Sequence, residues 1–213
     1  MPQRFPPDGP RRSWGGARNR RDRVSFGLTE RQVLGVVGAA YSALQIGVPL
    51  NRHITIHWGL AGFSDAQSGA ATSRLLGLMS DWVRKRGWKF AYIYVRENDP
   101  DAGKGSHVHI LAHVPPHDSK AFTHHQRAWL RRVTGQPYRV GTIRSRPIGP
   151  TVRTFANSPD VYLANLDVAI GYLIKSALPD VAETLNLGRR ERGGMVMGKR
   201  AGWSQCIGRS NRT

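Results

Sequence analysis

The sequence predicts an α/β chain of the α+β kind, a single domain whose central antiparallel sheet is flanked by helices. Three observations predict it. Apolar residues recur at helical spacing in some segments and alternate at strand spacing in others. The segments run helix, strand, helix, strand, strand, helix, then a polar stretch with room for one short strand, then helix. Two of the strands follow one another across a short Gly/Pro/Asp loop, which makes them antiparallel neighbours and argues against a doubly wound parallel sheet.

The elements follow in order. Residues 1–27 are a basic arm with seven arginines against two aspartates. Such a segment is expected to stay disordered, since it has too little apolar surface to bury; it can still order against phosphates. Leu28–Ile46 is a helix, with Thr29 near its start and Val33, Val36, Val37, Ala40 and Leu44 along one face. Gly47-Val48-Pro49 ends it. Asn51–Trp58 alternates, with His53, Thr55 and His57 on one face and Ile54, Ile56 and Trp58 on the other. Ala70–Arg86 is a second amphipathic helix. Trp88–Glu97 is a β-branched and aromatic strand, Asn98–Ser106 a turn-rich loop, and His107–Val114 the third strand. Ser119–Val133 is a helix rich in Arg, His and Trp. Gly135–Asn157 is polar and basic, and its short strand is expected near Thr151–Phe155. Asp160–Ser176 is the fourth helix. The folded domain thus spans residues 28–187, and residues 188–213 form a second basic, glycine-rich extension.

Charge narrows the function. The 213-residue chain carries 32 Lys+Arg against 14 Asp+Glu, a formal net charge of +18. A field of that size draws in polyanions, and nucleic acid is the expected partner. No secretory signal and no run of 18 apolar residues is present, so a cytoplasmic protein without a membrane partner is expected. The single cysteine, Cys206, excludes an internal disulfide framework and a cysteine-based zinc finger.

His107-Val108-His109 is the sharpest chemical feature. Residues i and i+2 of a strand share a face, so the two imidazoles stand side by side while Val108, Ile110, Ala112 and Val114 face a core. The hairpin returns Glu97 beside His107. Two imidazoles and a carboxylate make a three-ligand site with open positions, suited to magnesium, manganese, zinc or another divalent ion. His113 shares their parity but lies further along. A second feature is Tyr172, which shares a helical face with Lys175. A tyrosine hydroxyl is a weak nucleophile unless assisted, and a nearby cation can stabilise its phenolate. Gly171 beside it leaves room for a strand to approach. Read alone, strand histidines can face solvent and a helix tyrosine can be core.

Taken in order, these segments resemble the HUH endonucleases, in particular the replication initiators of rolling-circle plasmids and small single-stranded DNA viruses. His53-Ile54-Thr55-Ile56-His57-Trp58 looks like the first motif, His107-Val108-His109-Ile110-Leu111 like the metal motif, and Tyr172-Leu173-Ile174-Lys175 like the Tyr-x-x-Lys nucleophile motif. The likeness spans about 50 to 176. It implies a palm-like, ferredoxin-like sheet and sequence-specific nicking and rejoining of single-stranded DNA through a 5′-phosphotyrosine. It also implies Glu97, His107 and His109 around magnesium or manganese, with Tyr172 and Lys175 catalytic. Relaxases of this superfamily usually place the tyrosine before the metal motif; here it comes after, as in the replication and transposition branches. Tyr162 is ten residues from Tyr172, too far for a paired nucleophile, and reads as structural.

Candidate DNA contacts are His53, Thr55, His57, Lys104, Arg127, Arg131, Arg132, Lys199 and Arg200, with Arg209 and Arg212 further along the basic end. The expected partners are a single-stranded origin and a host helicase, since the sequence contains no ATP-binding loop. Three other readings stay open at this point: a single-tyrosine transposase of the same superfamily, a phosphodiesterase using water, and a basic nucleic-acid-binding protein with structural histidines.

Overall fold

Alternation of apolar and polar residues along the strands gives the sheet two chemically different faces, and the connections decide which helices cover each. The computed structural model describes residues 22–99 and 105–208. Its elements are β1 (Val24–Ser25), α1 (Glu30–Gln45), β2 (Arg52–His57), α2 (Asp65–Arg84), β3 (Tyr92–Asp99), β4 (Gly105–Ala112), α3 (Ser119–Thr134), β5 (Ile143–Pro147), α4 (Thr154–Asn157), α5 (Pro159–Ile174), α6 (Pro179–Thr184), β6 (Val196–Met197) and β7 (Ala201–Trp203). The five-stranded sheet has the order β5-β2-β4-β3-β7, and every pair in it is antiparallel. Its centre, β2-α2-β3-β4-α3-β5, is the split βαβ arrangement of ferredoxin-like folds.

This topology fixes the layers. β2 to β3 and β4 to β5 are crossovers between parallel strands, and crossovers are right-handed. The two run in opposite senses and in opposite directions across the sheet, so both helices land on one face. There α2 and α3 close over Ile54, Ile56, Val108, Ile110 and Ala112. The opposite face is left for elements outside the unit. α1 and α5 cover it, packing on Ile93, Val95 and Leu111. α1 comes close enough to β7 that a Cβ added at Gly35 would meet the Trp203 ring at 2.2 Å.

Several boundaries differ from the sequence reading. α2 begins at Asp65 rather than Ala70, because Ser64 and Gln67 cap it: the Ser64 N–H donates to Gln67 Oε1 at 3.0 Å. That first turn is polar and lacks the apolar period. The short strand of the 135–157 stretch is Ile143–Pro147, whereas Thr151–Phe155 turns into α4 through the Thr154 hydroxyl, which donates to the Thr151 carbonyl at 2.6 Å. β5 is an edge strand with outward arginines and a terminal proline, which gives little apolar signal.

The basic extension is also corrected: as far as residue 208 it is built into the fold. β7 pairs with β3 and β6 with β1, which lies in the arm. Two buried arginines bind the segment. Arg96, 1% exposed, donates to the Met197 carbonyl at 2.7 Å and pairs with Asp65 at 2.9 Å. Arg200, also 1% exposed, donates to the carbonyls of Ser25, Gly193 and Gly194. Residues 1–21 of the arm, Lys104, Arg209 and Arg212 lie outside the described residues.

Candidate metal centre

Cross-strand register assembles the site. On the face covered by α1 and α5, His57, His107 and Glu97 stand directly opposite one another across β2, β4 and β3. The next row is Thr55, His109 and Val95. Residues directly opposite in an antiparallel pair bring their Cβ atoms to about 5 Å, so a carboxylate and two imidazoles meet without any loop being needed to place them.

The side chains converge on Glu97. His107 Nε2 lies 3.1 Å and His109 Nε2 3.6 Å from Glu97 Oε2, and the ligand atoms of the three residues all lie within 4.8 Å of one another. Ligand atoms sharing one ion at about 2.1 Å are roughly 3–3.5 Å apart at neighbouring positions. The other ring nitrogens set the tautomers. His107 Nδ1–H donates to the Gly105 carbonyl at 3.0 Å, and His109 Nδ1 bonds the Thr55 hydroxyl at 3.0 Å. Such outer partners leave Nε2 for an ion and hold the ring toward it. Two buried atoms at the convergence, His109 Nε2 and Glu97 Oε1, have no hydrogen-bond partner among the described residues. The donor set and these orphaned atoms fit a divalent ion, and the group could hold one.

α5 closes the site. Lys175, at the helix C-terminus, donates to Glu97 Oε2 at 2.8 Å and to Glu191 Oε2 at 2.8 Å. It competes with an ion for the same Glu97 oxygen, but Glu191 is already in place to keep it neutralised when Glu97 turns to a metal. The Tyr172 ring packs edge-on against His109, with centroids 4.8 Å apart, and against His53 at 5.6 Å. Lys175 Nζ lies 4.6 Å and Arg189 Cζ 4.8 Å from the centre of the Tyr172 ring, so two cations flank it.

Burial and charge act against each other here. Burial raises the Glu97 carboxyl, but His107, His109 and Lys175 outweigh it and hold the group well below the usual carboxylate range. Burial pushes His109 down to about 4 although Glu97 opposes the shift. Burial, helped by His109, Arg146 and Arg144, pushes His53 down to about 3. Both imidazoles are therefore held neutral, the form that ligates. Burial lowers the Lys175 ammonium, but Glu97 and Glu191 more than compensate and raise it.

The structure brings Glu97, His107, His109, Tyr172, Lys175, His53, Thr55 and His57 together. His53 is 5% exposed, Thr55 is bonded to His109, and His57 stacks on His107 at 5.6 Å. Thr55 and His57 thus engage the histidines of the centre, whereas His53 lies beside Tyr172 at a cleft. Tyr162 is fully buried and donates to the Leu50 carbonyl at 2.8 Å; burial raises its hydroxyl. His113 Nδ1–H donates to the Pro49 carbonyl at 2.8 Å, away from the centre. A Cβ added at Gly171 meets nothing within 4 Å, so no protein neighbour demands the glycine. Arg127, Arg131 and Arg132 are exposed along a groove of about 1230 Å³ on α3, across the sheet from the triad. Lys199 is exposed. Arg200 is not available to DNA, since its guanidinium is buried on backbone carbonyls.

Four residues at the site escaped the sequence reading: Glu191 and Arg189 from the C-terminal segment, and Arg144 and Arg146 of β5. The alternation of Arg144-Ser145-Arg146 is the one signal that could have placed the latter pair on a face. Among the described residues, no helix is long and apolar enough to cross a membrane. No protein-family model, curated protein or solved structure matches the chain.

Proposed function

We propose that the protein is a magnesium- or manganese-dependent nuclease of the HUH kind that nicks and rejoins single-stranded DNA at a rolling-circle origin. One observation carries this reading: the helix bearing Tyr172 is docked on the triad, with Tyr172 against His109 and Lys175 on Glu97. A structural helix tyrosine has no need of a buried lysine shared between two carboxylates beside the two imidazoles of the triad.

Tyr172 Oη attacks the phosphorus, a tyrosyl–phosphate bond forms, and the bond to the 3′-oxygen breaks. The 3′-oxygen leaves as a hydroxyl, taking the proton the phenol gave up. The phosphodiester count is unchanged, so the reverse reaction reseals the strand without ATP. A bound divalent ion would polarise a non-bridging phosphate oxygen. Lys175 offsets the phenolate charge, and Thr55 and the Gly105 carbonyl keep the two histidines oriented. The net charge of +18 concentrates the strand near the site, and a host helicase would supply it unwound.

The test is adduct formation. The wild type is incubated with manganese and a labelled pool of randomised single-stranded oligonucleotides. A denaturation-resistant adduct is expected, with label on the fragment 3′ of the cut and the peptide mapping to Tyr172. Tyr172→Phe should abolish it and remain folded. Adduct surviving in Tyr172→Phe, or mapping to Tyr162, overturns the assignment. Cleavage without adduct makes water the nucleophile.

A further inference from the structure

Beside Tyr172 runs a cleft of about 390 Å³, lined among others by His53, Arg146, Asn165, Tyr172 and Arg189. We propose that this cleft is a phosphodiester subsite that grips the strand next to the reacting phosphate, with Arg146 and Arg189 as its cations and Arg144, next along β5, meeting the neighbouring phosphate. The proposal rests on the single-strand nicking reading for its ligand class, and on the following geometry for its place.

β5 pairs with β2 so that Arg146 stands opposite His53 and Arg144 opposite Thr55. Both arginines therefore lie on the face of the metal centre, at the open edge of the sheet, where they are exposed. Among the described residues, neither forms an ion pair with a carboxylate. Nor is any residue lining the cleft acidic. Arg146 thus faces the cleft without a carboxylate partner and is open to an anion. His53 supplies an independent sign of a ligand. It is 5% exposed, lines the cleft, and its Nε2 has no hydrogen-bond partner among the described residues. A buried imidazole nitrogen left without a partner costs stability, and a phosphate oxygen accepting from His53 Nε2–H would satisfy it.

Arg189 closes the other side. Its guanidinium lies 4.8 Å over the Tyr172 ring and is held by Glu191, Nε at 2.9 Å and Nη2 at 2.6 Å to Oε1. Glu191 thus occupies with its carboxylate the cation that an incoming phosphate would use. Arg144 and Arg146 are two residues apart on one strand face, about 6.6 Å along it. A continuous polyanion meets both charges in sequence, where a lone phosphate meets one. This selects a nucleic-acid strand over free inorganic phosphate.

The experiment is metal-free binding, with EDTA present so that no cleavage occurs. Anisotropy of a labelled oligo-dT strand is followed across a salt series for the full chain. The Arg144→Gln/Arg146→Gln variant should lower the slope of log K against log salt by roughly 0.7 per lost contact. Arg74→Gln, exposed on α2 at the other face, should lower it by less than half that. Glu191→Gln should tighten binding several-fold by freeing Arg189, and inorganic phosphate at matched ionic strength should not displace the strand. An unchanged slope in the double variant, or weaker binding in Glu191→Gln, overturns the subsite. Displacement by inorganic phosphate makes it a free-phosphate site instead. If the slope changes as expected but no tyrosyl adduct ever forms with metal, the subsite stands and the nicking reading falls.

Discussion

The two faces of the central sheet are made by the same strands, yet they bury opposite chemistry. Beneath α2 and α3 lie Ile54, Ile56, Val108, Ile110 and Ala112. That layer is apolar apart from its ends, where Arg96 pairs with Asp65 at 2.9 Å and Arg52 donates to the Ser119 and Ser145 hydroxyls. Beneath α1 and α5 the layer changes along the strands, from Ile93, Val95 and Leu111 at one end to Glu97, His107 and His109 at the other. The first layer is held mainly by apolar burial, with its few buried polar groups bonded at the margins. In the second, buried polar atoms have to be paired, and those left unpaired include Glu97 Oε1 and His109 Nε2 at the triad and His53 Nε2 beside it. The comparison teaches that the crossover helices make the fold while the helices from outside the βαββαβ unit make the site.

The largest expected effect tests the apolar face. Ile110→Ala should cost about 2–5 kcal/mol in urea unfolding, while the folded fraction keeps its metal affinity. A cost well under 1 kcal/mol would mean that this face is not what holds the domain together.

The second prediction addresses the polar face. Manganese at a hundredfold excess over its Kd should stabilise the wild type by about 2.7 kcal/mol. His107→Ala/His109→Ala should show no such gain. Equal stabilisation of both proteins would remove the triad as the ion site.

The smallest sharpens the comparison to one hydroxyl. Thr55→Val keeps the shape of the side chain but removes the partner of His109 Nδ1. Metal affinity measured by calorimetry should fall about 10–100-fold with the urea midpoint nearly unchanged. Unaltered affinity would mean that the ring is held by packing instead.

Much of this was legible because it depends on local period. The alternation of Asn51–Trp58 and His107–Val114 put the histidines on one side and the isoleucines on the other, and the hairpin placed Glu97 against His107. Glu97 and His107 proved to be direct partners. Tyr162 was separable from Tyr172 by spacing, and it is a core residue bonded to Leu50. The misses share a cause: their roles depend on partners distant in sequence. Arg200 looks like any tail arginine until Ser25, Gly193 and Gly194 surround it. Thr55 and His57 looked like strand contacts because nothing local announces that His109 and His107 will engage them. Glu191 sits among arginines in a glycine-rich segment and gains meaning only from Lys175, 16 residues away.

The sequence by itself determined the element types, the segregation of apolar from polar residues on each strand, the charge, and the two-imidazole, one-carboxylate group. These follow from periods of 2 and 3.6 residues and from a short hairpin, all interactions within a few residues of chain. Only the tertiary structure decided that both crossover helices share one face, that α5 lands on the other, and that the basic C-terminal segment is folded in by buried arginines. It alone set Arg146, Arg189 and Lys175 around Tyr172. Those outcomes turn on crossover handedness and on satisfying buried charge, which couple residues far apart in the chain and leave no periodic mark on it.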